Sequence, residues 1–171
     1  MSSDRRFVLK GLAAAGLAVS TTSWARAVWS SPAGLEQPPR AVTTLVGGSA
    51  LDAAFLAGVR QAVDAAGQSA PLAHPLRGLE AATFQQLDAL LRDREASLLL
   101  GWLDDASAVL VLDLVRSAGG QVLSVQHHRI DHDAAAGVRV QALGQALVAG
   151  QPFQPSAQPQ GVAYVSLRCV I

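Results

Sequence analysis

Ser97-Leu98-Leu99-Leu100-Gly101-Trp102-Leu103 is a short run that stays apolar after its first residue and is followed at once by Asp104-Asp105. Its length and the lack of polar alternation predict a strand covered on both faces, as in the interior of a parallel sheet. The next segment, 106–118, holds Val109-Leu110-Val111-Leu112, which alone reads as a strand. Its flanks favour a helix instead: Asp104-Asp105 offers an N-cap, Arg116 falls in the last turn, and Gly119-Gly120 offers a stop. Strand, acidic cap and helix in that order are the elementary unit of an α/β fold.

The same unit recurs on either side. Residues 41–46 form a β-branched run that ends at Gly47-Gly48. Ser49 then opens a segment with Leu51, Ala54, Phe55, Val59, Ala62, Val63 and Ala66 at one-faced helical spacing. Residues 70–76 make a weak strand that Pro71 and Pro75 confine to a sheet edge. Thr83 is expected to start the next helix, with Gln86 as its capping-box partner and Phe84, Leu87, Leu90 and Leu91 as the apolar face. Downstream, 121–130 reads as a strand, 134–149 as a helix, and 151–160, with Pro152, Pro155 and Pro159, as a loop. In the final strand, 162–170, Ala163, Val165, Leu167 and Cys169 alternate with Tyr164, Ser166 and Arg168, which predicts one buried face and one partly wet face. The whole predicts a three-layer α/β/α domain over 41–171 on a mostly parallel sheet of about five strands, with the last strand open to an antiparallel place at an edge. The order of units is similar to one lobe of periplasmic solute-binding proteins, although no motif carries that likeness.

The N-terminus follows a different logic. Arg5-Arg6 is followed by Leu9 and Lys10, then by a mildly apolar Gly/Ala/Leu run over 11–19, then by Ala25-Arg26-Ala27. This resembles a bacterial twin-arginine (Tat) export leader, with departures at Asp4 and Val8, where Ser/Thr and Phe are usual. The resemblance implies a signal peptide over 1–27 cleaved after Ala27, a Pro/Ser-rich tether over 28–40, the Tat translocon as a transient partner, and a folded domain delivered to the periplasm. The apolar run is about half the roughly 20 residues a membrane span needs, so no stable span is expected after cleavage. Cargoes of this class often carry a cofactor or travel with a partner; the sequence names neither.

Composition narrows the chemistry. Of 13 basic residues, Arg5, Arg6, Lys10 and Arg26 lie in the leader, as does Asp4 of 13 acidic ones, leaving nine against twelve. A net acidic domain does not suit nucleic acid, whose phosphates call for a basic surface. Lysine does not recur after Lys10, which excludes Schiff-base and P-loop lysine chemistry in the mature domain. Cys169 is the single cysteine, so no internal disulfide and no thiolate metal cluster can form. It reads as a small buried hydrophobe.

Ligands of open α/β sheets bind outside the carboxyl ends of the strands. Gly47, Gly48 and Ser49 at a strand-to-helix turn offer backbone N–H groups to an anion, but Ser49 and Asp52 also make a capping box that accounts for both. Trp102 with Asp104 offers an aromatic wall and a carboxylate, against the plainer reading of core tryptophan and N-cap. His127-His128-Arg129-Ile130-Asp131-His132-Asp133 is the densest group of metal-ligand types, with His128, Asp131 and His132 as the candidate set. Neighbours on a strand face opposite ways, so His127 and His128 cannot share a metal on one strand. Asp131 or Asp133 is expected to cap the following helix.

Two functions remain open on sequence. One is an exported, non-catalytic module that binds a small ligand or serves an exported redox enzyme as accessory subunit. The other is a small periplasmic hydrolase, using Ser49 with His127 or His128 and Asp104, or a metal-dependent enzyme using His128, Asp131 and His132.

Overall fold

The computed structural model describes residues 41–76, 78, 81–92, 97–153 and 161–171. The expected leader over 1–27, its expected cleavage site, the expected tether over 28–40 and most of the proline-rich segment lie outside the described residues. Strands β1 (Ala41–Val46), β2 (Leu72–Pro75), β3 (Ser97–Leu103), β4 (Gln121–Ile130) and β5 (Val162–Val170) alternate with helices α1 (Asp52–Ala65), α2 (Ala81–Arg92), α3 (Asp105–Ser117) and α4 (Ala136–Ala149). The expected α/β class is what the chain adopts.

The apolar run Ser97–Leu103 is buried at every position and forms the centre of the sheet. Its order is β2-β1-β3-β5-β4. β1 pairs in parallel with both β2 and β3, whereas β5 runs antiparallel to β3 and to β4. β4 therefore points the same way as β1, β2 and β3. On one face α1 and α4 pack around Phe55, Val59, Trp102, Val140 and Leu143; on the other, Leu87, Leu99, Val111, Leu114 and Leu167 join α2 and α3 to the sheet. Each large apolar side chain so buried contributes about 1.5–3 kcal/mol.

Three expectations change. The last strand is antiparallel, as the sequence allowed, but it lies inside the sheet, and β4 takes the edge. Because β5 has a neighbour on each side and helices on both faces, the side read as partly wet is largely enclosed: Tyr164 and Ser166 are buried and Arg168 is half-buried. Helix α2 begins at Ala81 rather than Thr83, and Thr83 is a buried residue inside it. Segment 106–118 resolves as helix. The Asp104 carboxylate accepts the Ser107 N–H at 2.9 Å, and the chain turns out through Gly119 at φ +83°, with the Gly120 N–H donating to the Val115 carbonyl. Asp133 accepts the Ala135 N–H at 3.0 Å just before α4 and pairs with Arg139 at 2.8 Å.

Glycine sets the spacing of the α1/α4 layer. A Cβ on Gly58 would run into the Gln141 carbonyl oxygen, and one on Gly144 would stand 2.6 Å from the Phe55 carbonyl oxygen. The two helices cross backbone to backbone, which brings Phe55 and Val59 down onto the sheet.

Candidate functional site

β1, β3 and β4 end on the same side of the sheet, and β5 begins there. The loops at this end are tied together: the Gly47 N–H donates to the Trp102 carbonyl at 3.0 Å. Gly48, at φ +83°, turns its N–H onto Asp52 Oδ2 at 2.8 Å, while the Ser49 hydroxyl donates to Asp52 Oδ1 and accepts from the Leu51 N–H. A carboxylate of the chain itself thus occupies the place where an anion would meet this turn. Asp104 is engaged in the same way. Its Oδ1 accepts the Ser107 N–H and its Oδ2 accepts the Ser107 hydroxyl at 2.8 Å. Partial burial works to raise its carboxyl pKa, but hydrogen bonds from Ser107 and Ala106 outweigh this and hold it below the usual range.

The histidines separate as strand geometry requires. His127 faces outward, 3.4 Å from Asp105 at the start of α3. His128 faces the α1/α4 layer and is 2% exposed, its Nε2 lying 2.7 Å from Ser166 Oγ. Burial first, and the charge of neighbouring His127 second, push the His128 imidazole down to about 4, so the ring is neutral near pH 7. His132 is exposed beyond the end of β4, with Nε2 3.3 Å from the Tyr164 hydroxyl. His128 and His132 therefore meet Tyr164 and Ser166 rather than each other. Among the described residues no three His, Cys, Asp or Glu side chains converge so as to hold a metal ion. Ser49 donates to Asp52 and not to an imidazole, so the structure does not bring together Ser49, His127 or His128, and Asp104.

What it does assemble lies beneath these loops, across β3, β5 and β4. Trp102, Ser166 and Gln126 stand opposite one another in register, flanked by the pair Tyr164 and His128 and by Arg168 opposite Ser124. Trp102 stacks on Tyr164 with centroids 4.5 Å apart and sits between Phe55 and the His128 ring. Within this strip four buried side-chain atoms have no hydrogen-bond partner among the described residues: Trp102 Nε1, Gln126 Oε1, His128 Nδ1 and Arg168 Nε. Each such atom costs about 1–3 kcal/mol relative to a paired one. The Arg168 guanidinium lies against the C-terminal end of α4, where a Cβ on Gly150 would stand 3.1 Å from Nη1, and burial lowers its pKa from the ordinary value.

Sequence reasoning singled out Trp102 and His128 but not Gln126, Tyr164, Ser166 or Arg168 as their companions. The signal was present in the alternation of polar residues along 162–170, which read as a wet face. Cys169, on the opposite face of β5, is fully buried; burial raises its thiol to about 11 despite the opposing charge of Arg116. A cavity of about 380 Å³, lined by Thr43, Leu72, His74, Gln86 and Leu90 among others, lies at the other end of the sheet, where β1 and β3 begin. No described helix is long and apolar enough to cross a membrane. No protein family, curated protein or solved structure matches the chain.

Proposed function

We propose that the chain is an exported periplasmic module that works by binding, holding a small polar ligand or serving an exported redox enzyme as accessory subunit. The observation that carries this reading is the strip of unpartnered polar atoms on Trp102, Gln126, His128 and Arg168. Buried polar groups are ordinarily paired, and a cluster of donors and acceptors left open on one sheet face favours a bound group that completes them. The carboxylates and hydroxyl suited to catalysis, Asp52, Asp104 and Ser49, are engaged in hydrogen bonds within their own turns, which favours binding over the hydrolytic alternative. The twin-arginine resemblance at Arg5, Arg6, Leu9 and Lys10 supplies the export part.

Native mass spectrometry of the protein recovered from periplasm tests the reading. Retention of a small molecule, or of a partner in fixed ratio, supports it, and loss of that species on Gln126→Leu locates it. A protein recovered strictly alone, of unaltered intact mass, would remove the binding proposal. Replacement of Arg5 and Arg6 by lysine tests export separately: the protein should then remain in the cytoplasm.

A further inference from the structure

The strip contains a second arrangement, which does not depend on any ligand. Trp102 is fully buried and stacked at 4.5 Å and 21° on Tyr164. Tyr164 is 7% exposed, and its hydroxyl reaches His132 Nε2 at 3.3 Å. His132 is exposed. The series thus runs from a buried indole, through a phenol with a base at its hydroxyl, to an imidazole in contact with water.

We propose that Trp102, Tyr164 and His132 form a relay that carries a one-electron oxidising equivalent from the core to the surface. A one-electron oxidant, such as a peroxide-derived oxyl radical, takes an electron from Trp102 and leaves the indole radical cation. The cation then takes an electron from Tyr164 as the phenol proton passes from Oη to His132 Nε2, giving neutral Trp102, a phenoxyl radical and an imidazolium. A small thiolate or enediolate reductant gives one electron to Tyr164 and leaves as its own thiyl or ascorbyl-type radical, and the phenol proton comes back from His132. The direction is fixed by His132 at the Tyr164 hydroxyl, because the phenol gives up its electron only as its proton leaves. Cys169 lies on the opposite face of β5, outside this route.

The composition makes the test unambiguous. Tyr164 is the only tyrosine of the chain, and Trp24 and Trp29 are the only tryptophans besides Trp102. In the full chain carrying Trp24→Phe and Trp29→Phe, laser photo-ionisation at the red edge of the indole absorption, beyond that of the phenol, produces a radical at Trp102 alone. Transient absorption should show the indole radical decaying as the phenoxyl radical rises, with one first-order rate independent of protein concentration. Tyr164→Phe, which keeps the stacked ring, should prolong the indole radical. His132→Leu, at an exposed position, should slow the transfer about 100-fold, the order of magnitude that a positioned proton acceptor contributes. An indole radical with the same lifetime in the parent and in Tyr164→Phe, or a phenoxyl rise that scales with protein concentration, would overturn the relay. Neither outcome bears on ligand binding, so the two proposals fail independently.

Discussion

Gly58→Ala is the sharpest test of the α1/α4 crossing, because helix propensity and packing predict opposite signs. In an isolated helix the change would gain about 1 kcal/mol. Here the new methyl group meets the Gln141 carbonyl oxygen, a backbone atom on α4 that cannot swing aside as a side chain would. Relief requires the helices to separate, and separation loosens Phe55, Val59, Val140 and Leu143, all of which are buried between the layers. Overpacking of this kind costs about 1–3 kcal/mol, and a rigid backbone partner puts it at the upper end. After the propensity gain the net loss is about 2 kcal/mol, which corresponds to roughly 8 °C in Tm for a domain of this size. Gly144→Ala should behave alike, since its Cβ would meet the Phe55 carbonyl oxygen at 2.6 Å. Gly137→Ala is the control: its nearest neighbour would be the Ala54 Cβ at 3.9 Å, an ordinary contact, and stability should be unchanged or rise by about 0.5 kcal/mol. Urea and thermal unfolding of the three variants give the answer. A Gly58→Ala protein as stable as its parent would refute the backbone crossing and the layer geometry built on it.

His128 predicts a dependence on pH. Its folded pKa of about 4 lies below the ordinary 6.5, so between these values the unfolded chain takes up a proton that the native ring refuses. The stabilisation is complete above about pH 6.5 and is lost as pH falls towards 4, by about 3 kcal/mol in all. Urea midpoints measured across this window should show the slope, and His128→Gln should flatten it; equal slopes in the two proteins would contradict the assignment. Cys169, raised to about 11 and fully buried, should resist a disulfide reagent in the native state and react only at the rate of unfolding. Labelling as fast as that of a free thiol would contradict its burial.

The parts of the fold that could be read from sequence are those set by neighbours along the chain. Asp104 with Ser107, and Ser49 with Asp52, are local pairs and both form, but only Asp104 caps its helix: α1 begins at Asp52 with Leu51 at its N-cap and no side-chain cap hydrogen bond, so the expected Ser49 capping box is absent. The apolar run of β3 announces burial on both faces because nothing in it tolerates water. The sheet order was beyond this reasoning. Alternation along β5 separates its two faces but does not say whether water or a helix layer meets the polar one, and Ser166 and Arg168 look wet until β4 is placed outside them. The strip joining Trp102, Gln126, His128 and Ser166 depends on that same order, since cross-strand register brings its members together. Thr83 misled for a related reason: a hydroxyl near a helix start suits a cap, but the helix had begun at Ala81 and turned that residue inward.

The insertion of β5 between β3 and β4 also has a temporal meaning. β5 is the last of the described strands to be synthesised, and among the described residues β4 pairs with no other strand. During synthesis β1, β2 and β3 can assemble while β4 has nothing to pair with, and the edge of β3 stays bare. Closure of the sheet therefore waits for residues 162–170 to leave the ribosome. Until then the nascent chain exposes an unpaired β4 and the bare edge of β3 to chaperones and proteases, and a truncated product would be marked by them as incomplete.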